Sequence, residues 1–238
     1  MATYDGAQYL AEQLDSIVAQ LGPDDELVIV DDGSSDGTLA MLEAIDDPRL
    51  VIGRTERNLG YVGAFERALS GARGDYLVLS DQDDVWPAGR LRSLVDALAD
   101  AELAVGNVVD LERRRPLPSP VRRRPWLLRS ATSRQRARNI LRVWAGVVPY
   151  FGSAMALRRS ALDRVLPFPD FLTESHDLWI ALVGNVDGSI RHLDDVVVLR
   201  RLHETNASAS RPRSVGLVLR ARLMLVRLTL EALRRSRS

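Results

Sequence analysis

The chain has 238 residues, no cysteine and no lysine, so its 32 arginines alone balance 32 acids. These counts exclude a disulfide framework, a zinc–thiolate site, a cysteine nucleophile, a lysine Schiff base and a phosphate-loop lysine. The neutral total hides two unlike halves: residues 1–112 hold 23 acids against 7 arginines, net −16, and residues 113–238 hold 9 acids against 25 arginines, net +16. Such halves face one another or meet different partners. The length suits one α/β domain with a substantial core. The lack of cysteine fits a reducing compartment. No secretory signal is visible, and no uncharged run is long enough to span a bilayer.

The start, Met1-Ala2-Thr3, leaves room for only a very short first strand, or one that begins upstream. Leu10, Leu14, Ile17 and Val18 recur at helical spacing and predict an amphipathic helix over 8–20. Leu27 to Val30 is a buried strand that ends in Asp31-Asp32. The turn at 33–38 carries helix-capping residues and leads to a helix through Ile45; Asp36 is expected to serve there as a cap. A third strand follows at 50–52, a loop at Asn58-Leu59-Gly60 and a helix at 61–70.

Tyr76-Leu77-Val78-Leu79 is expected to be a strand buried on both faces. Directly after it, Asp81-Gln82-Asp83-Asp84 crowds three carboxylates into four positions. Carboxylates so close repel one another and call for a positive charge, and oxygen donors of this kind suit a hard divalent cation, Mg2+ or Mn2+. The alternative is a solvated acidic turn. The strand ends of an open α/β sheet are also where ligands bind. Pro87 is expected to open a helix running to Asp100, and a fifth strand follows at 103–109.

Residues 112–142 are expected to be an irregular basic connection, with Pro116, Pro118, Pro120 and Pro125 among two arginine triplets. One nearby aromatic, Trp126, gives base stacking little support, so nucleic acid is not expected as a partner. Ordered structure resumes near Leu141, with a strand at 152–157 entering a helix near Arg159, a helix from about Leu178 to Val183 and a strand at 196–199. The tail from Val215 to Leu233 mixes leucines with Arg220, Arg222 and Arg227. Such a basic amphipathic helix lies on an anionic membrane or docks on the protein's own core.

The alternation of strands and helices predicts an α/β fold, a mostly parallel sheet with helices on both faces. No Gly-x-Gly-x-x-Gly follows the first strand and no phosphate-loop motif is present.

In order along the chain, Ala2-Thr3-Tyr4-Asp5-Gly6, Val30 to Thr38, Arg57-Asn58-Leu59-Gly60, Asp81 to Asp84, His176-Asp177 and His203 to Asn206 resemble the motifs of the inverting family 2 glycosyltransferases, nearest to rhamnosyltransferase-like members. The resemblance covers roughly residues 2–210 and implies the GT-A fold, a Rossmann-like α/β architecture. It implies a catalytic domain over 1–212, divided into a nucleotide-binding half at 1–110 and an acceptor half at 111–212 that includes the basic loop 112–142, followed by a basic helix at 213–238.

The same resemblance implies the site. Thr3, Tyr4 and Asp5 would border the nucleotide base, Asp32 would hold base or ribose, and Asn58 and Gly60 would shape the same pocket. Asp81 would bind ribose or reach a metal through water, Asp83 would ligate Mg2+ or Mn2+, and His203 would approach the metal or the diphosphate. Asp177 would be the general base, with Glu174 as a rival. Arg201-Leu202-His203 departs from the family's usual pattern there and weakens the role of His203.

The donor implied is a nucleoside diphosphate sugar, dTDP-rhamnose first and UDP-sugars next. The acceptor is a cell-surface glycan, free or polyprenyl-diphosphate-linked, at a cytoplasmic location with peripheral membrane contact. The basic loop would meet that diphosphate or the membrane face. A nucleotidyl-transferring enzyme, a polyprenyl-phosphate sugar synthase and a non-catalytic binding protein are the rival functions.

Overall fold

The computed structural model describes residues 1–119, 124–203 and 214–237. Strand β1 (Ala2–Thr3) leads to helix α1 (Ala7–Val18), β2 (Leu27–Asp31), α2 (Thr38–Glu43), β3 (Leu50–Arg54) and α3 (Gly60–Gly71). Strands β1, β2 and β3 pair in parallel in that order. Parallel pairing needs crossovers, and α1 and α2 supply them. α1 buries Leu10, Leu14 and Ile17 on one stripe, together with Gln13. β1 is only two residues long, so it pairs with β2 alone and the strands form two sheets.

The second sheet has the order β4-β6-β5-β7, from β4 (Tyr76–Val78), β5 (Leu103–Asp110), β6 (Met155–Arg158) and β7 (Ile190–Arg200). β5 and β7 are parallel, and β6 runs antiparallel between β4 and β5. All eight residues of β5 are buried, in keeping with its largely apolar sequence, and the buried Asn107 amide is bonded to the Leu193 and Asp194 carbonyls. Four further helices complete the domain: α4 (Arg90–Ala97), α5 (Arg136–Ala145), α6 (Leu162–Val165) and α7 (His176–Asp187).

Several sequence expectations need correction. β4 is not buried on both faces: it is an edge strand of its sheet, and Tyr76 lies exposed beneath the Arg158 guanidinium. The helix after Pro87 starts three residues later, because Gly89 at φ 79° turns the chain before Arg90. Gly152–Ala154 is a 3-10 turn ahead of β6, and β7 is eleven residues long rather than four. The basic connection is less irregular than its prolines suggest. It contains a 3-10 turn at Ser130–Thr132 and most of α5, where Asn139 and Val143 face the core and Arg136 donates to the Asn185 and Val186 carbonyls of α7. Arg122 and Arg123 lie outside the described residues, as do Glu204, Thr205 and Asn206.

The C-terminal helix, α8 (Val215–Arg235), docks by one face. Leu225, Leu228 and Ala232 are buried in the core that also holds α7 and α5. Trp144 Nε1 donates to Thr229 Oγ1 at 3.0 Å across that contact. Among the described residues no helix is long and apolar enough to cross a membrane.

Candidate active site

The loop after β4 is held from three directions. Gln13, buried on α1, donates through Nε2 to Ser80 Oγ at 2.6 Å and to the Asp81 carbonyl at 2.8 Å. Trp86 Nε1 donates to the same Ser80 hydroxyl at 3.2 Å. Arg90, the first residue of α4, is 1% exposed; its Nη2 donates to the carbonyls of Leu79 and Ser153, and its guanidinium stacks on Trp86. Nothing in the sequence singled out Gln13 or Arg90 as part of this site, since each reads there as an ordinary helix residue.

Three carboxylates meet here, with ligand oxygens of Asp81, Asp83 and Asp84 all within 4.8 Å of one another. Burial, and then the charges of Asp81 and Asp83, push the Asp84 carboxyl up; burial and then Asp83 do the same to Asp81. Burial also lowers the Arg90 guanidinium to about 9, against the pull of Asp84 and Asp81. The charges of Arg200 and Arg90 oppose the rise at Asp81 without cancelling it. Asp84 Oδ2 is buried with no hydrogen-bond partner. An orphaned carboxylate oxygen beside two others is the donor set a hard divalent cation takes, so these residues fit Mg2+ or Mn2+.

The basic half reaches the loop at the end of β7. Val85 and Leu199 exchange backbone hydrogen bonds at 2.9 and 3.0 Å, which lays Arg200 to His203 alongside the acids. Arg201 donates from its backbone N to Asp84 Oδ1 at 3.3 Å and from Nε to the Asp83 carbonyl at 3.2 Å, and it pairs with Glu12. His203 Nε2 lies 2.8 Å from Asp83 Oδ2, and its ring stacks on Tyr9. The two residues expected at the metal are thus in contact across 120 positions of sequence.

The residues expected around the nucleotide lie at the strand ends of the first sheet, several of them engaged with one another. Thr3 is buried and donates to Asp31 Oδ1. Tyr4 is exposed, and its backbone N and O are both bound by the side chain of Gln82. A Cβ on Gly6 would collide with that Gln82 amide and displace it from the Tyr4 backbone. Asp5, at φ 44°, accepts from the backbone N of Ser35 at 2.7 Å and of Asp36 at 3.3 Å. Asp32 is buried and accepts from Thr55 Oγ1 and the Leu59 N–H. Asn58 Oδ1 accepts from the Gly60 N–H at 2.9 Å at the start of α3. Asp36 accepts from the Thr38 N–H at 2.9 Å but stands one residue outside the expected place, since the N-cap of α2 is Gly37 with no side-chain cap bond; it also binds the Ala7 N–H that opens α1.

Asp177 stands in the first turn of α7, behind Ser175, which is left-handed at φ 62°. A non-glycine residue held there is strained. Tyr61 on α3 helps to hold it, its hydroxyl accepting from the Ser175 N–H at 2.9 Å. Beside it His176 is buried against Phe65, and a Cβ on Gly152 would come within 2.9 Å of the imidazole. Burial pushes His176 down to about 3, so it is neutral packing. Asp177 itself is half-buried. Burial raises its carboxyl to about 6, opposed by the Leu178 N–H, and the charge of Asp81 raises it further. Asp81 and Asp177 thus belong to one electrostatic site.

A parallel three-stranded sheet beside a mixed one, with carboxylates gathered at the strand ends, defines the GT-A class of α/β domain. The solved structures agree on the fold. Staphylococcus aureus TarS in complex with UDP-GlcNAc superposes with a TM-score of 0.69 at 20% identity, over 98% of this chain and 70% of that one. The Pyrobaculum calidifontis mannosyltransferase PcManGT, in complex with GDP-Man and Mn2+, does so at 0.60 and 22% identity, over 99% and 71%. Among curated sequences, the succinoglycan biosynthesis protein ExoO of Rhizobium meliloti is 37% identical over 118 residues, 48% of this chain and 34% of that protein. The dTDP-rhamnosyl transferase RfbG of Shigella flexneri is 34% identical over 105 residues, 41% and 36% of the respective chains. The matches span about a third of the length of these curated relatives. The profile of glycosyl transferase family 2 matches residues 1–166, and the chain belongs to that family.

Proposed function

We propose that this chain is an inverting glycosyltransferase domain that moves a sugar from a nucleoside diphosphate donor to a cell-surface glycan at the inner face of the cell membrane. Residues 1–212 would form its catalytic unit and 213–238 an appended helix. The observation that carries this is the meeting of two acidic systems: Asp83, in contact with His203 and next to the orphaned Asp84, and Asp177, whose acidity responds to Asp81.

Asp83, with Asp81, Asp84 and His203, would hold Mg2+ or Mn2+. When bound, such an ion offsets the negative charge that develops on a departing diphosphate. Thr3, Tyr4, Asp5, Asp32, Asn58 and Gly60 would frame the base and ribose, the buried ones by fixing the loops and the exposed ones by touching the nucleotide.

Asp177 accepts the proton of the acceptor hydroxyl as its oxygen bonds to the anomeric carbon. The bond from that carbon to the diphosphate breaks on the opposite face, so the configuration inverts. A double displacement would need a carboxylate nucleophile as well.

Support for the donor comes from the relatives. RfbG is named a dTDP-rhamnosyl transferase, which favours dTDP-rhamnose, and TarS was solved with UDP-GlcNAc, which keeps UDP-sugars next. The test is calorimetric titration of dTDP and UDP into wild type and Asp83→Ala, each with Mn2+, Mg2+ or EDTA. Metal-dependent binding that vanishes in Asp83→Ala is expected, and the tighter nucleotide ranks the donors. Folded wild-type protein that binds neither nucleotide with metal would overturn the proposal.

A further inference from the structure

The outward face of α8 carries a second apolar stripe that the fold leaves uncovered. Leu219, Leu223, Val226, Leu230 and Leu233 follow one another at spacings of four, three, four and three, on the side opposite the buried Leu225, Leu228 and Ala232. Leu219, Leu223 and Leu230 are 64%, 63% and 62% exposed. Beside the stripe runs a row of arginines seven residues apart, Arg220, Arg227 and Arg234, with Arg222 on its other flank. The helix has one acid, Glu231, and it is already bonded to Arg234 and Arg235.

The charge pattern decides between occupants. In a paired helix the stripe would be the seam and Arg220, Arg227 and Arg234 would occupy equivalent flanking positions. A second copy of this helix would bring like charges together, and its one acid, Glu231, is already taken by Arg234 and Arg235. An anionic lipid surface supplies the missing negative charge, and arginine stems beside an apolar stripe can follow it into the interface while their heads stay at the phosphates.

We infer that α8 seats this domain on an anionic membrane, with the Leu219–Leu223–Val226–Leu230–Leu233 stripe in the lipid and Arg220 and Arg234 at the headgroups. The contact bears on the site as well. Arg227 stacks at 4.0 Å on Phe171, and Thr173 lies 4.0 Å from the Met224 sulfur, so α8 touches the segment that leads to Asp177. The acceptor opening then lies close to the lipid, where a polyprenyl-linked acceptor is carried. That last point rests on the transferase reading above; the lipid contact does not.

The experiment is co-sedimentation of the full chain with vesicles of phosphatidylglycerol and phosphatidylcholine in equal parts, and with phosphatidylcholine alone. Calorimetric nucleotide binding, thermal midpoint and sedimentation equilibrium are recorded on the same preparations. Wild type is expected on the anionic vesicles and to weaken sharply as salt rises. The triple variant Leu219→Ser, Leu223→Ser, Leu230→Ser removes only exposed side chains, and it should lose about tenfold or more in vesicle affinity with its melting and nucleotide binding unchanged. Arg220→Gln with Arg234→Gln should lose roughly fivefold or more on anionic vesicles alone. Equal vesicle binding by wild type and the leucine variant would overturn the inference. So would a wild-type dimer that the leucine variant dissolves, which would give the stripe to a second copy. A protein that binds anionic vesicles through the stripe but no nucleoside diphosphate would overturn the transferase reading and leave the contact standing.

Discussion

The segments at 80–86 and 171–177 bring carboxylates within electrostatic reach of one another by opposite means. The first is tied down by many partners: Gln13, Trp86 and Arg90 fix its backbone, and Arg201 and His203 close over it from the other half of the chain. The second is held by Tyr61 at a strained Ser175 and propped by α8, and its acid is set by burial rather than by ligands. The difference follows from the work each would do. A group of acids that receives a cation must be fixed while they repel one another, so its scaffold is redundant. A base must have an intermediate acidity, which partial desolvation supplies.

Asp83→Ala would test this contrast most severely. It should remove metal-dependent nucleotide binding and lower transfer about a thousandfold or more, read by calorimetry and by release of nucleoside diphosphate. Asp177→Asn should lower kcat by about 10²- to 10⁴-fold and leave nucleotide binding intact. If the two variants failed in the same way, the division of labour would be wrong.

Asp177→Asn should also be more stable than wild type near pH 8. The folded-state pKa of Asp177 is raised, so its contribution to stability is present at low pH and is lost as pH rises through about 6. Removing the charge should therefore gain about 1–2 kcal/mol after allowance for solvent at the cleft edge, visible as a higher Tm.

Arg90→Leu strikes the first segment's scaffold. It leaves the Leu79 and Ser153 carbonyls and the carboxylates without their buried cation, and should cost about 3 kcal/mol, with part of the lost Tm restored by Mg2+. Gln13→Ala should cost about 1–2 kcal/mol and weaken metal-dependent nucleotide binding about tenfold, since it loosens the loop without touching a ligand.

The pH profile gives the finest test. Below about pH 6 the base is protonated, so kcat/KM should fall about tenfold per pH unit, and that limb should be absent from the residual activity of Asp177→Asn.

How much of this was legible in the sequence varies with the range of the interaction. The apolar runs at 27–30 and 103–109, the stripe of α1 and the crowding of Asp81, Asp83 and Asp84 are local patterns, and each carries its own physical signature. The turn in which Asp36 accepts from the Thr38 N–H is equally local, although the N-cap itself falls on Gly37. The helix at 136–145 was hidden by the proline and arginine run upstream of it, although Ile140, Val143 and Trp144 pack on the core at helical spacing. Tyr76 misled for the converse reason: an apolar ring in a strand does not say that the strand lies at an edge.

The sequence by itself determined the family's motifs, their order and the need for a positive charge beside the acids, since repulsion between neighbouring carboxylates requires no fold to be evident. Tertiary structure alone decided that Arg90 and Gln13 stand behind those acids, that His203 meets Asp83, and that Asp177 is desolvated. These are contacts between positions 9 to 120 residues apart, and the desolvation that sets an acid's strength depends on which distant side chains exclude water from it.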